Sequence, residues 1–146
     1  KVSTRATLQT LKTYGRMTFE YPYPKAINVN GPAGGMEYPM VAFCGARPQP
    51  DGTYSDRLEQ GLICVTIHEV GHNWFPMIVD SDERKWTWMD EGLNSFLDSM
   101  AGLEWDPDIP WKVAPADIVT CTSRSTARSP TSAWGPRSSS LLDACR

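Results

Sequence analysis

The stretch HEVGHNWFPMIVDSDERKWTWMDEG, residues 68–92, decides how this chain reads. It holds both histidines of a 146-residue sequence, His68 and His72, with Glu69 between them; 18 residues separate His72 from Glu91. On a helix, residues four apart lie one turn apart on the same face. Two imidazole nitrogens can then reach one cation. Glu69, next to His68, flanks that cation and can take a proton from a water beside it. A catalytic zinc usually has three protein ligands and an open position. Glu91, on the first turn of the following helix, is the candidate third ligand. The plainer alternative, two core histidines, would bury two polar rings without evident partners, and a shared ion removes that cost. Glu91 by itself says less, because the helix dipole favours a glutamate in any first turn.

Working outward, a helix should start near Ser55 or Asp56, either of which can cap it, and run through LEQGLICVTIHEVGHNWF to about Pro76. Its apolar residues lie nearly all round, so it should be buried. Upstream, residues 3–18 predict a helix with Leu8, Leu11 and Tyr14 at helical spacing and Gly15 able to end it. FEYPYPK (19–25) is extended, since its alternate prolines exclude a helix. AINVN (26–30) predicts a strand, NGPAGG (30–35) a turn, and MEYPMVAF (36–43) a second strand that Pro39 confines to a sheet edge. After a charged loop at 80–85, Asp90 is a plausible cap for a helix presenting Leu93, Phe96, Leu97 and Met100 on one face. The mixture is α/β, of the α+β kind.

Composition bounds the rest. Hydrophobic residues are 40% and charged residues 21%, in the globular range. A net charge of -3 argues against nucleic acid or an anionic membrane as partner. No apolar run approaches the roughly 18 residues of a membrane span, and no signal-peptide pattern opens the chain. It reads as an internal piece of something longer, so compartment stays open, as does oligomeric state. None of the four cysteines (44, 64, 121, 145) forms a C-x-x-C pair, and Cys44 and Cys64 read as buried free thiols. Residues 1–107 are expected to form one partial catalytic domain. Residues 108–146, rich in Pro, Ser and Arg without periodicity, are expected to be disordered or non-native.

At this point the sequence resembles a family. HEVGH, 18 residues, then Glu91 matches the gluzincin arrangement, and "HNWFP" and "WMDEGLNSF" are similar to words of the aminopeptidase N family of zinc metallopeptidases. That family's exopeptidase motif, G-x-M-E-N, stands some thirty residues before its metal helix; here Gly34, Gly35, Met36, Glu37 and Tyr38 occupy that place, with tyrosine in the position of the asparagine. "YPYPK" also resembles the family, and the likeness covers about residues 5–105. It implies a zincin-like, thermolysin-type catalytic domain fragment, with one Zn²⁺ on His68, His72 and Glu91. It implies proteolysis at the free N-terminus of a peptide by metal-activated water, with Glu69 as the base. Glu37 would hold the substrate ammonium. Gly34, Gly35 and Met36 would line the substrate path, with the strand binding peptide backbone by strand addition.

The sequence also departs from the family. Its members use a tyrosine well downstream of the glutamate ligand to stabilise the developing oxyanion, and the last tyrosine here is Tyr54. The family's N-terminal β-domain is missing too. Truncation or an out-of-frame translation would account for the abrupt change near residue 115. Two alternatives follow: a catalytically silent zinc-binding fragment, and a gluzincin endopeptidase, against which Glu37 in its motif argues.

Overall fold

The computed structural model describes residues 2–107; the expected tail, with Cys121 and Cys145, lies outside them. The described chain forms α1 (Val2–Met17), β1 (Ile27–Val29), β2 (Gly35–Tyr38), β3 (Val41–Cys44), α2 (Asp56–Gly71), a π-helical turn (Trp88–Gly92) and α3 (Leu93–Trp105). The three strands make one mixed sheet in the order β1-β3-β2, with β1 parallel and β2 antiparallel to β3. This is a mixed α/β arrangement of three helices and a small sheet.

The expected single strand over residues 36–43 is instead a tight hairpin. Tyr38 pairs with Val41, leaving Pro39 and Met40 as the turn. Pro39 presets its own φ for such a turn, while Met40 takes a left-handed φ of 65°, a region that side chains other than glycine seldom enter. Two bonds hold it there: Asn73 Oδ1 accepts from the Met40 N–H at 2.8 Å, and the Met40 carbonyl accepts from Ile27 N at 2.9 Å. Tertiary contacts therefore impose a turn that its residue types do not announce.

Helix α2 starts where expected. Ser55 is its cap, with Oγ accepting from Leu58 N at 3.3 Å, and Asp56 and Glu59 complement the dipole in the first turn. It ends at Gly71 rather than near Pro76, and a run of turns covers residues 72–78. Its two faces serve two cores. Ile63 and Ile67 join Trp74, Ala6 and Tyr14 of α1, and Leu97 and Ala101 of α3. Val65 and Val70 pack with Ala42 and Cys44 of β3. Being covered on both faces is what its all-round apolar pattern implied.

The buried face of α1 differs from the expected one. Leu8 is 52% exposed, and the helix instead buries Ala6, Thr7, Thr10, Thr13 and Tyr14. Threonine suits this face because its hydroxyl can bond back along its own helix. Thr7 donates to the Ser3 carbonyl at 3.0 Å and Thr10 to the Ala6 carbonyl at 2.8 Å. Gly15 does not end the helix. Thr13 donates to Glu104 at 2.7 Å, and Arg16 pairs with the same carboxylate, tying α1 to α3. Trp74, wholly buried, lies between Tyr14 and Tyr21 with ring centroids 5.2 Å from each, and its Nε1 donates to the Phe19 carbonyl at 2.9 Å.

On α3, Leu93 and Phe96 are exposed, and the buried face is Asn94, Leu97, Ser99, Ala101 and Gly102. Asp90 does not cap this helix, because the π-helical turn already carries helical backbone through it. Cys44 is a buried free thiol, and Cys64 is half-buried. Burial pushes the Cys44 thiol up to about 12, which makes it inert as a nucleophile.

Candidate metal centre

Helix α2 carries His68 and Glu69 on its last turn and His72 at its C-cap, all three buried. The π-helical turn brings Glu91 across to them. A turn wider than an α-turn is frequent at functional sites, and here it directs two consecutive carboxylates at the same pair of rings. Glu91 Oε2 lies 3.2 Å from His68 Nε2 and 3.7 Å from His72 Nε2, and the two Nε2 atoms are 3.1 Å apart.

The opposite ring nitrogens fix the tautomers. His68 Nδ1 lies 2.9 Å from Asp98 Oδ2, and His72 Nδ1 lies 2.8 Å from the Phe75 carbonyl. A carboxylate and a carbonyl only accept, so each Nδ1 carries the proton. With neutral rings both Nε2 atoms would present lone pairs to each other and to a carboxylate oxygen. Three acceptors would then converge, an arrangement that needs a positive charge between them, either a proton on an imidazole or a metal ion. Tetrahedral zinc with bonds of about 2.0–2.1 Å has its ligand atoms about 3.3 Å apart, and the observed separations match that spacing. His68, His72 and Glu91 therefore form a group that could hold a metal ion.

Without a metal, protons supply that charge. Burial lowers the proton affinity of His68, but its contacts with Asp98 and Glu91 outweigh this and hold it well above its ordinary value. His72 is raised as well: burial and His68 oppose its charge, while Asp90, Glu91 and Glu37 favour it. The Asp90 Oδ1 atom lies 3.0 Å from His72 Nδ1 but makes no aligned hydrogen bond, since that N–H points to Phe75. It contributes charge rather than direction.

Glu69 is 1% exposed, and its Oε2 has no hydrogen-bond partner among the described residues. Burial raises its carboxyl to about 7; the two histidines pull it down and Glu37 pushes it further up. A carboxylate poised near neutrality, with one buried oxygen free, suits a general base. Glu37, on β2, brings its carboxylate to the same place: ligand atoms of Glu37, Glu69 and His72 lie within 4.8 Å of one another. Gly35 is required by this packing, because a Cβ there would stand 2.2 Å from Glu69 Oε1 and 2.8 Å from Val65 Cγ2. Gly34 faces open space, where nothing in the chain itself demands glycine. Met36 is 38% exposed on the edge strand.

Four residues of the site were not anticipated: Asp98, Asp90, Asn94 and Tyr14. Asn94 donates through Nδ2 to the His68 carbonyl at 2.8 Å, and Tyr14 donates to Asn94 Oδ1 at 2.9 Å. Glu91, Asn94 and Asp98 stand at i, i+3 and i+7 in the sequence. That spacing was the available signal that all three share a helix face.

Similarity to known proteins is distant. No protein-family model matches the chain, and no solved structure matches it significantly. The mitochondrial aminopeptidase 2 of Saccharomyces cerevisiae is 31% identical over 108 residues, covering 70% of this chain and 11% of that protein. The tRNA pseudouridine synthase A of Burkholderia ambifaria is 32% identical over 91 residues, covering 52% of this chain and 33% of that protein. The chain thus spans about a tenth of one relative and a third of the other. The first likeness hints at an aminopeptidase relationship; the second points elsewhere. Among the described residues no helix is long and apolar enough to cross a membrane.

Proposed function

We propose that this chain is the core of a zinc-dependent aminopeptidase, part of a thermolysin-type catalytic domain, whose parent protein releases N-terminal residues from peptides. The observation that carries the reading is the convergence of two imidazole nitrogens and a carboxylate beside a second, buried carboxylate poised near neutrality. A zinc ion held by His68, His72 and Glu91 would polarise a scissile carbonyl and acidify water. Glu69 takes the proton from the attacking water and passes it to the leaving amine. Glu37 pairs with the substrate's free ammonium and so fixes the first residue. Among the described residues β2 stands at the edge of the sheet, where its backbone groups can meet an extended peptide. The partial likeness to a yeast aminopeptidase supports this reading over an RNA-modifying one, as does the acidic balance of the sequence.

Turnover of an aminoacyl anilide by the zinc-loaded chain, compared with its N-acetylated form, tests the proposal. Preference for the free amine is expected, and preference for the blocked substrate would point to an endopeptidase. One observation favours a second reading, a metal-binding chain without turnover: no tyrosine follows Tyr54 to supply an oxyanion donor. Bound zinc with no hydrolysis of either substrate would establish it. Losing one such donor costs roughly 10²–10³ in rate.

A further inference from the structure

We propose that Tyr14 is a positioning residue for the metal centre, acting through Asn94 on the metal helix at His68. The proposal rests on the metal reading above. Tyr14 comes from α1, which supplies no ligand, yet its hydroxyl reaches the turn that carries both histidines. It donates to Asn94 Oδ1 at 2.9 Å and lies 3.1 Å from the Asn94 carbonyl. Tyr14 and Asn94 are each 0% exposed, so the bond is shielded from bulk water.

The amide orientation of Asn94 follows from its partners. A phenol proton faces one end and the His68 carbonyl the other, so Oδ1 accepts and Nδ2 donates. The same Nδ2 stands 3.4 Å from His68 Nδ1. Both atoms carry protons, so this contact is steric: it limits how far the ring can turn away from Asp98. The His68 carbonyl also accepts from His72 N at 3.2 Å, so Asn94 grips the peptide unit that joins the two ligands' turn.

Space for this strut is reserved by Gly71. A Cβ on residue 71 would stand 2.3 Å from Asn94 Oδ1 and 2.4 Å from the Tyr14 hydroxyl. The helix thus gives up a side chain immediately before His72 at the place where the two groups meet. A simple apolar contact between α1 and α3 would need neither the hydroxyl nor the amide. Two polar groups buried this deeply cost free energy unless both are bonded, and their bonds lead to His68.

The test is Co²⁺ affinity of the full 146-residue chain by chelator competition, with the visible absorption of bound Co²⁺ as a second readout, for wild type, Tyr14→Phe, Asn94→Ala and the double variant. Thr10→Val, which removes a buried bond of α1 that involves neither Asn94 nor a proposed ligand, is the control for helix stability. Tyr14→Phe is expected to lose about tenfold in affinity, within the range for groups that orient ligands, and to alter the absorption band. The loss should vanish in the Asn94→Ala background, and Thr10→Val should lower thermal stability without changing affinity. Asn94→Ala removes the strut from its other end, so it tests the same claim should Tyr14→Phe fail to fold. Unchanged affinity in Tyr14→Phe or Asn94→Ala, or additive losses in the double variant, would overturn the proposal. Absence of Co²⁺ uptake by the wild type would overturn the metal reading itself, a distinguishable result.

Discussion

His68 and His72 face each other Nε2 to Nε2 at 3.1 Å, each with its Nδ1 proton already committed to an oxygen. Two neutral imidazoles would repel in this approach, so it calls for a positive charge, which the raised proton affinity of the two rings supplies in the metal-free chain and a metal ion would supply in its place. Glu91 adds a third acceptor at 3.2 and 3.7 Å. The geometry makes sense around a cation, and each prediction below follows from it.

Asp98 lies 2.9 Å from His68 Nδ1 and, in the proposed centre, would orient the ring and make it a stronger donor to a metal. Asp98→Ala should weaken metal binding by about 10–100-fold while leaving the far-ultraviolet circular dichroism of the chain unchanged. Equal affinity in the variant would mean that the ring is held by packing alone.

In the proposed centre Glu69 neighbours the ligands without being one of them. Glu69→Gln should retain one metal per chain and lower any peptidase turnover by about 10²–10⁴. Loss of the metal instead would move Glu69 into the ligand set.

Gly35 leaves the space that Glu69 occupies. Gly35→Ala forces either the carboxylate or β2 to move, at a cost of about 1–3 kcal/mol from overpacking. Chemical denaturation should register that loss, with metal content near normal. A variant as stable as the wild type would show that Glu69 rests elsewhere.

The metal-free chain should become less stable as pH rises. Burial holds the Glu69 carboxyl at about 7 against an ordinary 4.5, so the folded state binds this proton more tightly than the unfolded chain. Its contribution is complete below about 4.5 and is lost as pH rises through about 7. His68 and His72, also raised, lose theirs in the same direction at higher pH. Urea midpoints in the presence of a chelator should fall from about pH 5 to about pH 8, and Glu69→Gln should flatten the slope near 7. Identical slopes in the two proteins would rule out Glu69 as a source.

Much of this arrangement was readable from residues 55–92 alone. The two histidines are rare residues at a diagnostic spacing, and Ser55 caps α2 by local chemistry that needs no tertiary information. What failed was decided at longer range. Residues 36–43 looked like one strand because Met40 stands in the left-handed position where a turn after Pro39 would ordinarily have glycine, and Asn73, 33 positions away in sequence, holds the turn. Leu8 looked buried because leucine usually is, whereas threonines with self-satisfied hydroxyls fill that face. Asp90 looked like a cap because the sequence does not signal a π-helical turn. Asp98 and Asn94 stood at legible helical offsets from Glu91, but their target, His68, lies on another helix. Tyr14 carried no local signal for its partner, 80 residues on.

The central claim is that His68, His72 and Glu91 hold one divalent cation. X-ray absorption at the zinc edge of the loaded chain tests it most directly. The account predicts one zinc per chain with two imidazole nitrogens and carboxylate or water oxygen at about 2.0–2.2 Å. No bound zinc, or a sulfur neighbour at about 2.3 Å from one of the cysteines, would contradict it.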